Sequence, residues 1–255
     1  MPQLLLLPAL ALIAAQPAPE PKTPTDVIAA SKPAEWAEIP ADELMVIDLA
    51  SGKRVVVQLA PAFAPVHVAN IQKLARAGYW QGAAIYRVQD NYAGQWGNNE
   101  SETPRPAGGV KTPPPEYHRA LKGLNVVPLG SPDAYAPAAG FSGGWPVAYD
   151  PKAGTANLTH CYASVGVGRG LSPDTGMGGE LYAAIGHAPR HLDRVIAVVG
   201  RVVSGIEHLS SLPRGTEALG FYKERSSDVP IASVHLASEL AGPARPRFEY
   251  LKETS

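Results

Sequence analysis

Proline and glycine, 26 and 25 residues of the 255, occupy one position in five, and their spacing limits every helix this chain can form. A proline inside a helix removes a backbone donor and clashes with the turn before it, and glycine gives up the most backbone entropy. Short strands joined by turns are therefore the expected building material. Apolar residues at 45% with charged residues at 18% exclude a disordered chain. A net charge of −1 offers no basic surface for nucleic acid. The single cysteine, Cys161, excludes an internal disulfide framework and any multi-thiolate metal site. Its neighbours Tyr162, Ala163 and Val165 give it the reading of a small buried hydrophobe.

Residues 4–15 (LLLLPALALIAA) are too short an apolar run to span a bilayer and suit the core of a signal peptide, with cleavage after Ala15. No lysine or arginine precedes the run. The expectation is a signal peptide over 1–15 and a periplasmic or secreted protein with no membrane segment after cleavage. Residues 16–42 begin as a proline-rich linker, with room for a short helix from Asp26 to Ser31. The main domain is expected over 43–240, and 241–255 as a C-terminal tail.

Within that domain, alternating residues from Leu44 to Ala50, a Ser51-Gly52 turn and the β-branched run Arg54 to Leu59 predict a hairpin. A helix is expected from Pro65 to Ala77, with Val68, Ile71, Leu74 and Ala75 on one buried stripe and Gly78 as its stop. Further strands are expected at 83–88, 161–167, 181–185, 195–203 and 231–237, and a short helix at 205–212. Residues 99–157, with Pro113 to Pro115 and Gly143-Gly144, read as a long loop-rich insertion lacking a hydrophobic pattern of its own. Strands this short, with only two clear helices, predict an antiparallel barrel or sandwich.

Three motifs carry chemistry elsewhere but lack its context here. Gly140-Phe141-Ser142-Gly143-Gly144 fits a nucleophile elbow, yet Pro137 and Pro146 deny it the flanking strand and helix. His187 and His191 stand four apart, but Pro189 breaks the helix that would align them on zinc. Gly166, Gly168 and Gly170 resemble a phosphate loop, but Leu171-Ser172-Pro173 follows instead of a helix.

The segment Val55 to Asn98 resembles the N-terminal half of cyclophilins, the peptidyl-prolyl isomerases: a strand, a helix opening on Val68-Ala69-Asn70, a glycine-tyrosine turn at Gly78-Tyr79, and a strand ending in Tyr86-Arg87. A second block is similar to the other half of the family. It runs through Val165-Gly166-Val167-Gly168-Arg169, Gly179-Glu180-Leu181-Tyr182, His191-Leu192-Asp193 and Val199-Gly200-Arg201. The resemblance implies a mainly β fold, a closed eight-stranded antiparallel barrel capped by two α-helices, carrying the 99–157 insertion. It implies Arg87 as the catalytic residue. The peptide would be bound by Tyr92, Ala93 and Gln95 from the first block and by Val167, Gly168, Arg169, Glu180, Tyr182, His191 and Leu192 from the second, with Ile196 where the family often has a histidine. Neither metal nor cofactor is implied, and the partners would be proline-containing peptides or unfolded proteins.

Other readings of the same residues stay open at this point. Arg87 alone would pair with a surface carboxylate, Tyr92, Tyr182 and Leu192 would be ordinary core, and Arg169 with Glu180 would form a solvated ion pair. The departures from the family pattern also have consequences. Ala93 and Val167 stand where the family has methionine and remove volume. Tyr182 adds a hydroxyl that needs a partner, Glu180 adds a charge near Arg87, and His191 replaces an indole. A barrel that binds peptides without isomerising them is the alternative function. From its place between the two blocks, the insertion is expected to act as a lid over the groove.

Overall fold

The computed structural model describes residues 22–98 and 109–253; the expected signal peptide and the start of the insertion lie outside them. The N-terminal extension holds helix α1 (Pro24–Ala30), capped by Thr23, and strand β1 (Trp36–Glu38). The expected hairpin follows as β2 (Leu44–Leu49) and β3 (Arg54–Leu59), turning through Gly52 at φ 80°. Both faces of β2 are buried. Met45, Ile47 and Leu49 point into the main core, while Leu44 and Val46 lie in an outer cluster covered by Phe248 and Tyr250 of the C-terminal segment.

Helix α2 (Pro65–Arg76) buries the predicted stripe, and with it His67 and Asn70. These polar groups are satisfied from afar. Glu116 accepts from the backbone N–H of Val66 and His67, both at 2.9 Å, and holds His67 Nδ1 at 2.6 Å. A carboxylate on the first-turn N–H groups caps a helix whose own N-cap, Ala64, has no side chain able to do so. Asn70 exchanges two hydrogen bonds with the backbone of Val110.

Strands β4 (Ala84–Gln89) and β5 (Ala93–Gly97) come next. The insertion is not the loop its composition suggested. It contributes β6 (Arg119–Ala120), β7 (Val127–Pro128), β8 (Ala138–Ser142), β9 (Trp145–Asp150) and β10 (Thr155–Leu158), an antiparallel sheet in the order β6-β10-β9-β8-β7. Its apolar packing depends on the main domain: Trp145, Val147 and Leu158 pack on Ala60, Phe63 and Val198. Gly143 and Gly144, both at positive φ, make the two-residue turn between β8 and β9. Ser142 is thus a strand residue opposite Trp145, not the tip of a strand–helix elbow.

The chain returns through β11 (Ser164–Val167), β12 (Leu181–Ala184), β13 (Val198–Ser204), helix α3 (Ile206–Ser210) and β14 (Val229–Leu236). Strand β11 starts later than expected because residues 161–163 turn, with Ala163 at φ 70°. Strand β13 starts later because Arg190–Leu192 form a 3-10 turn and residues 193–197 a loop. Eight antiparallel strands close a barrel in the order β11-β12-β5-β4-β14-β2-β3-β13, with β13 pairing back to β11. Both α2 and α3 contribute buried residues to its core, which runs from Met45 and Val57 through Ile71, Trp96 and Val165 to Leu209 and Leu236. The tail ends in β15 (Glu249–Leu251), which pairs with β1, so the two terminal extensions form a ribbon together.

Candidate active site

Residues directly opposite each other on neighbouring strands project to the same face of a sheet. The register therefore decides which side chains meet. Arg87 on β4 is opposite Gln95 on β5, Gln95 is opposite Tyr182 on β12, and Tyr182 is opposite Gly166 on β11. One row thus carries a guanidinium, an amide, a phenol and a gap. The gap is needed, because a Cβ at Gly166 would lie 2.4 Å from the Tyr182 hydroxyl.

Beside this row is a hollow of about 160 Å³ lined by Arg87, Tyr92, Ala93, Gln95, Val167, Gly168, Arg169, Tyr182, Leu192 and Ile196. All the expected site residues line it except Glu180 and His191. His191 lies behind Tyr92, stacked on it at 5.9 Å between ring centres and 13° between planes. Glu180 turns away from Arg169, and their ion pair is not formed. Its carboxylate instead accepts from Tyr86 Oη at 2.5 Å, and Arg169 donates to the carbonyls of Gly170 and Val195. Among the described residues of the insertion none lines the hollow. The sheet packs at Phe63 and Val198 instead.

Three donations hold Arg87: Nε to the carbonyl of Leu219 at 2.7 Å, Nη1 to Gln95 Oε1 at 2.9 Å and Nη2 to Gln89 Oε1 at 2.6 Å. Its guanidinium carbon lies 5.6 Å from the Phe221 ring centre and 6.0 Å from that of Tyr92. Burial draws its pKa down, opposed by the nearby tyrosines, but an arginine remains charged at any ordinary pH.

The extra hydroxyl of Tyr182 has the partner it needs. It lies 3.0 Å from Nε2 of His160, a residue with no exposed surface. Asp193 Oδ1 accepts from the His160 backbone N–H and faces Nδ1, both at 2.9 Å. A carboxylate at Nδ1 fixes the proton there, which leaves Nε2 to accept from Tyr182. Burial pushes the Tyr182 hydroxyl well above its ordinary value, so it stays a donor. Arg190 donates to Asp193 Oδ2 at 2.6 Å and makes a two-pronged pair with Asp133 of the insertion at 2.9 Å. Sequence reasoning missed His160, Asp193 and Arg190 as a group. The available signal was the tyrosine itself, since a buried phenol demands a polar neighbour.

Burial lifts the Glu180 carboxyl to about 7, against the hydrogen bonds from Tyr86 and the Asn98 backbone, which lower it. A carboxyl raised on folding binds its proton more tightly in the folded chain. The stability it lends is complete below the unfolded value of about 4.3 and is lost as the pH rises through the folded one. Glu180→Gln is therefore expected to stabilise the protein by on the order of 2 kcal/mol at about pH 8 and by little at about pH 5. Thermal unfolding at the two pH values checks this; an equal effect at both would contradict it.

The family model of "Cyclophilin type peptidyl-prolyl cis-trans isomerase/CLD" matches residues 44–236. A "Probable peptidyl-prolyl cis-trans isomerase" from Brucella suis biovar 1 (strain 1330) is 26% identical over 164 residues, covering 64% of this chain and 68% of the relative. The protein of the same description from Brucella abortus (strain 2308) gives the same figures. The crystal structure of cyclophilin AquaCyp293 from Hirschia baltica superposes with a TM-score of 0.69 at 24% identity, covering 91% of this chain and 87% of that one.

Proposed function

The chain belongs to the cyclophilin-type peptidyl-prolyl cis–trans isomerase family, and from that premise we propose that Arg87, at the edge of the hollow between β4, β5, β11 and β12, catalyses rotation about X-Pro bonds of peptides and unfolded proteins. The barrier to be lowered is about 18–20 kcal/mol, because the amide nitrogen shares its lone pair with the carbonyl. In the twisted transition state that sharing is lost and the nitrogen becomes a stronger hydrogen-bond acceptor. A donor aimed at it binds the transition state better than either planar isomer, which is the requirement for catalysis. The pyrrolidine ring would sit against Tyr182, Val167 and Leu192, out of water.

The observation that carries the reading is the state of the Arg87 guanidinium. Of its five N–H donors three are committed to Leu219, Gln95 and Gln89, so the plane is fixed while two donors remain for a substrate. The same ties favour a second reading, a module that binds prolyl peptides and leaves their isomerisation rate unchanged, with an arginine held too firmly to follow the turning bond. Export is part of the proposal and rests on residues 4–15 alone. Titration with a short peptide containing a central Ala-Pro bond tests the site. Backbone amide shifts are expected at Ala93, Val167 and Gly168, and shifts confined to another face would contradict the assignment.

A further inference from the structure

Glu180 lies outside the hollow yet is joined to Arg87 by an unbroken chain of hydrogen bonds. Arg87 Nη1 donates to Gln95 Oε1 at 2.9 Å, Gln95 Nε2 donates to Tyr86 Oη at 2.6 Å, and Tyr86 Oη donates to the Glu180 carboxylate at 2.5 Å. The carboxylate occupies a niche made for it. A Cβ at Gly97 would fall 2.1 Å from Glu180 Oε2 and displace the carboxylate, and the Asn98 backbone hydrogen-bonds the same group.

We propose that Glu180 is a positioning residue for Arg87, acting through Tyr86 and Gln95. The inference rests on the reading of Arg87 as the catalytic group. The guanidinium only donates, so Gln95 turns its oxygen to Arg87 and its NH2 to Tyr86, which leaves the Tyr86 hydrogen for Glu180. An ionised carboxylate only accepts. A protonated carboxyl still accepts through its carbonyl oxygen, but it has lost the charge that draws the Tyr86 hydrogen, so the donation weakens and with it the hold of Gln95 on the guanidinium.

Against Glu180 lie Tyr86 from β4, Gly97 and the Asn98 backbone at the end of β5, and Gly168 after β11; of the charged groups next to these, Arg87 reaches it only through Gln95 and Tyr86, and Arg169 donates to the carbonyls of Gly170 and Val195. Burial, with the Glu180 charge behind it, pushes the Tyr86 hydroxyl far up, so it stays protonated while the carboxyl titrates around 7.

The test is the pH profile of kcat/KM on a prolyl peptide between about pH 5.5 and about pH 8.5, with the 15N shift of Arg87 Nε followed over the same range. In the wild type both are expected to move with one midpoint near 7. Activity should rise roughly tenfold, the rate equivalent of one hydrogen bond to a charged group. Glu180→Gln is expected to remove the inflection from both readouts, because its amide oxygen accepts from Tyr86 at every pH. A flat wild-type profile, or an inflection surviving in Glu180→Gln, would overturn the inference. A wild type no faster than Arg87→Ala would instead sink the reading beneath it, while the Nε shift still reports whether the chain of hydrogen bonds responds to Glu180.

Discussion

Arg87→Ala is expected to lower kcat/KM on an X-Pro peptide by roughly two to three orders of magnitude, the usual cost of losing one donor aimed at developing charge or lone-pair density in a transition state. The fold should survive it. Arg87 is only half-buried, its neighbours Gln89 and Gln95 reach solvent, and the strand pairing of β4 with β5 does not involve the side chain. Unfolding midpoints and peptide affinity should therefore change much less than the rate. Arg87→Lys should recover little, because a single ammonium cannot hold Leu219, Gln95 and Gln89 and still present a donor in a fixed plane. Equal rates in wild type and Arg87→Ala would remove the guanidinium from the mechanism.

The second large effect is on stability. Asp193→Ala should destabilise the protein by about 3–5 kcal/mol, as expected when one partner of a buried charged group is taken away. Asp193 is 8% exposed and accepts from the His160 backbone, from His160 Nδ1 and from Arg190. Its loss leaves a fully buried imidazole without the acceptor that fixes its tautomer and releases one side of Arg190. In a protein of this size the unfolding midpoint should fall by about 10 °C, read by calorimetry at neutral pH. The effect has a pH signature. Burial raises the Asp193 carboxyl, but the hydrogen bonds from His160 and Arg190 outweigh it and hold the group below its ordinary range. Its stabilisation is thus present above about pH 4 and is lost as the pH falls through the depressed folded value. The gap between wild type and variant should shrink in acid.

The barrel was legible where local pattern and burial agree. The hairpin of β2 and β3 is rich in β-branched residues, and α2 repeats its apolar positions at helical spacing, so each announces its own geometry. Strand β5 did not, because Ala93-Gly94-Gln95-Trp96-Gly97 has no β-branched residue and owes its extended form to partners on both sides. The insertion sheet was hidden for a related reason: its strands are short and lean on Phe63 and Val198, which lie far away in the chain. Most of the candidate site was legible only through resemblance, since nothing local brings Arg87 and Tyr182 to one face. The polar network behind it was not legible at all. His67 meets Glu116 across 49 residues and His160 meets Asp193 across 33, and such partnerships leave no mark on spacing. Glu180 is the instructive case. Its charge suggested Arg169 or Arg87 as partner, yet the missing side chain at Gly97 gives it a niche beside Tyr86.

The most direct measurement is the cis–trans exchange rate of an Ala-Pro peptide, followed by magnetisation-transfer NMR with catalytic amounts of wild-type protein. Left alone, such a bond takes tens to hundreds of seconds to turn. Exchange accelerated into the subsecond range, in proportion to protein concentration, is the predicted result; peptide that binds in the hollow but exchanges at the spontaneous rate would contradict the account.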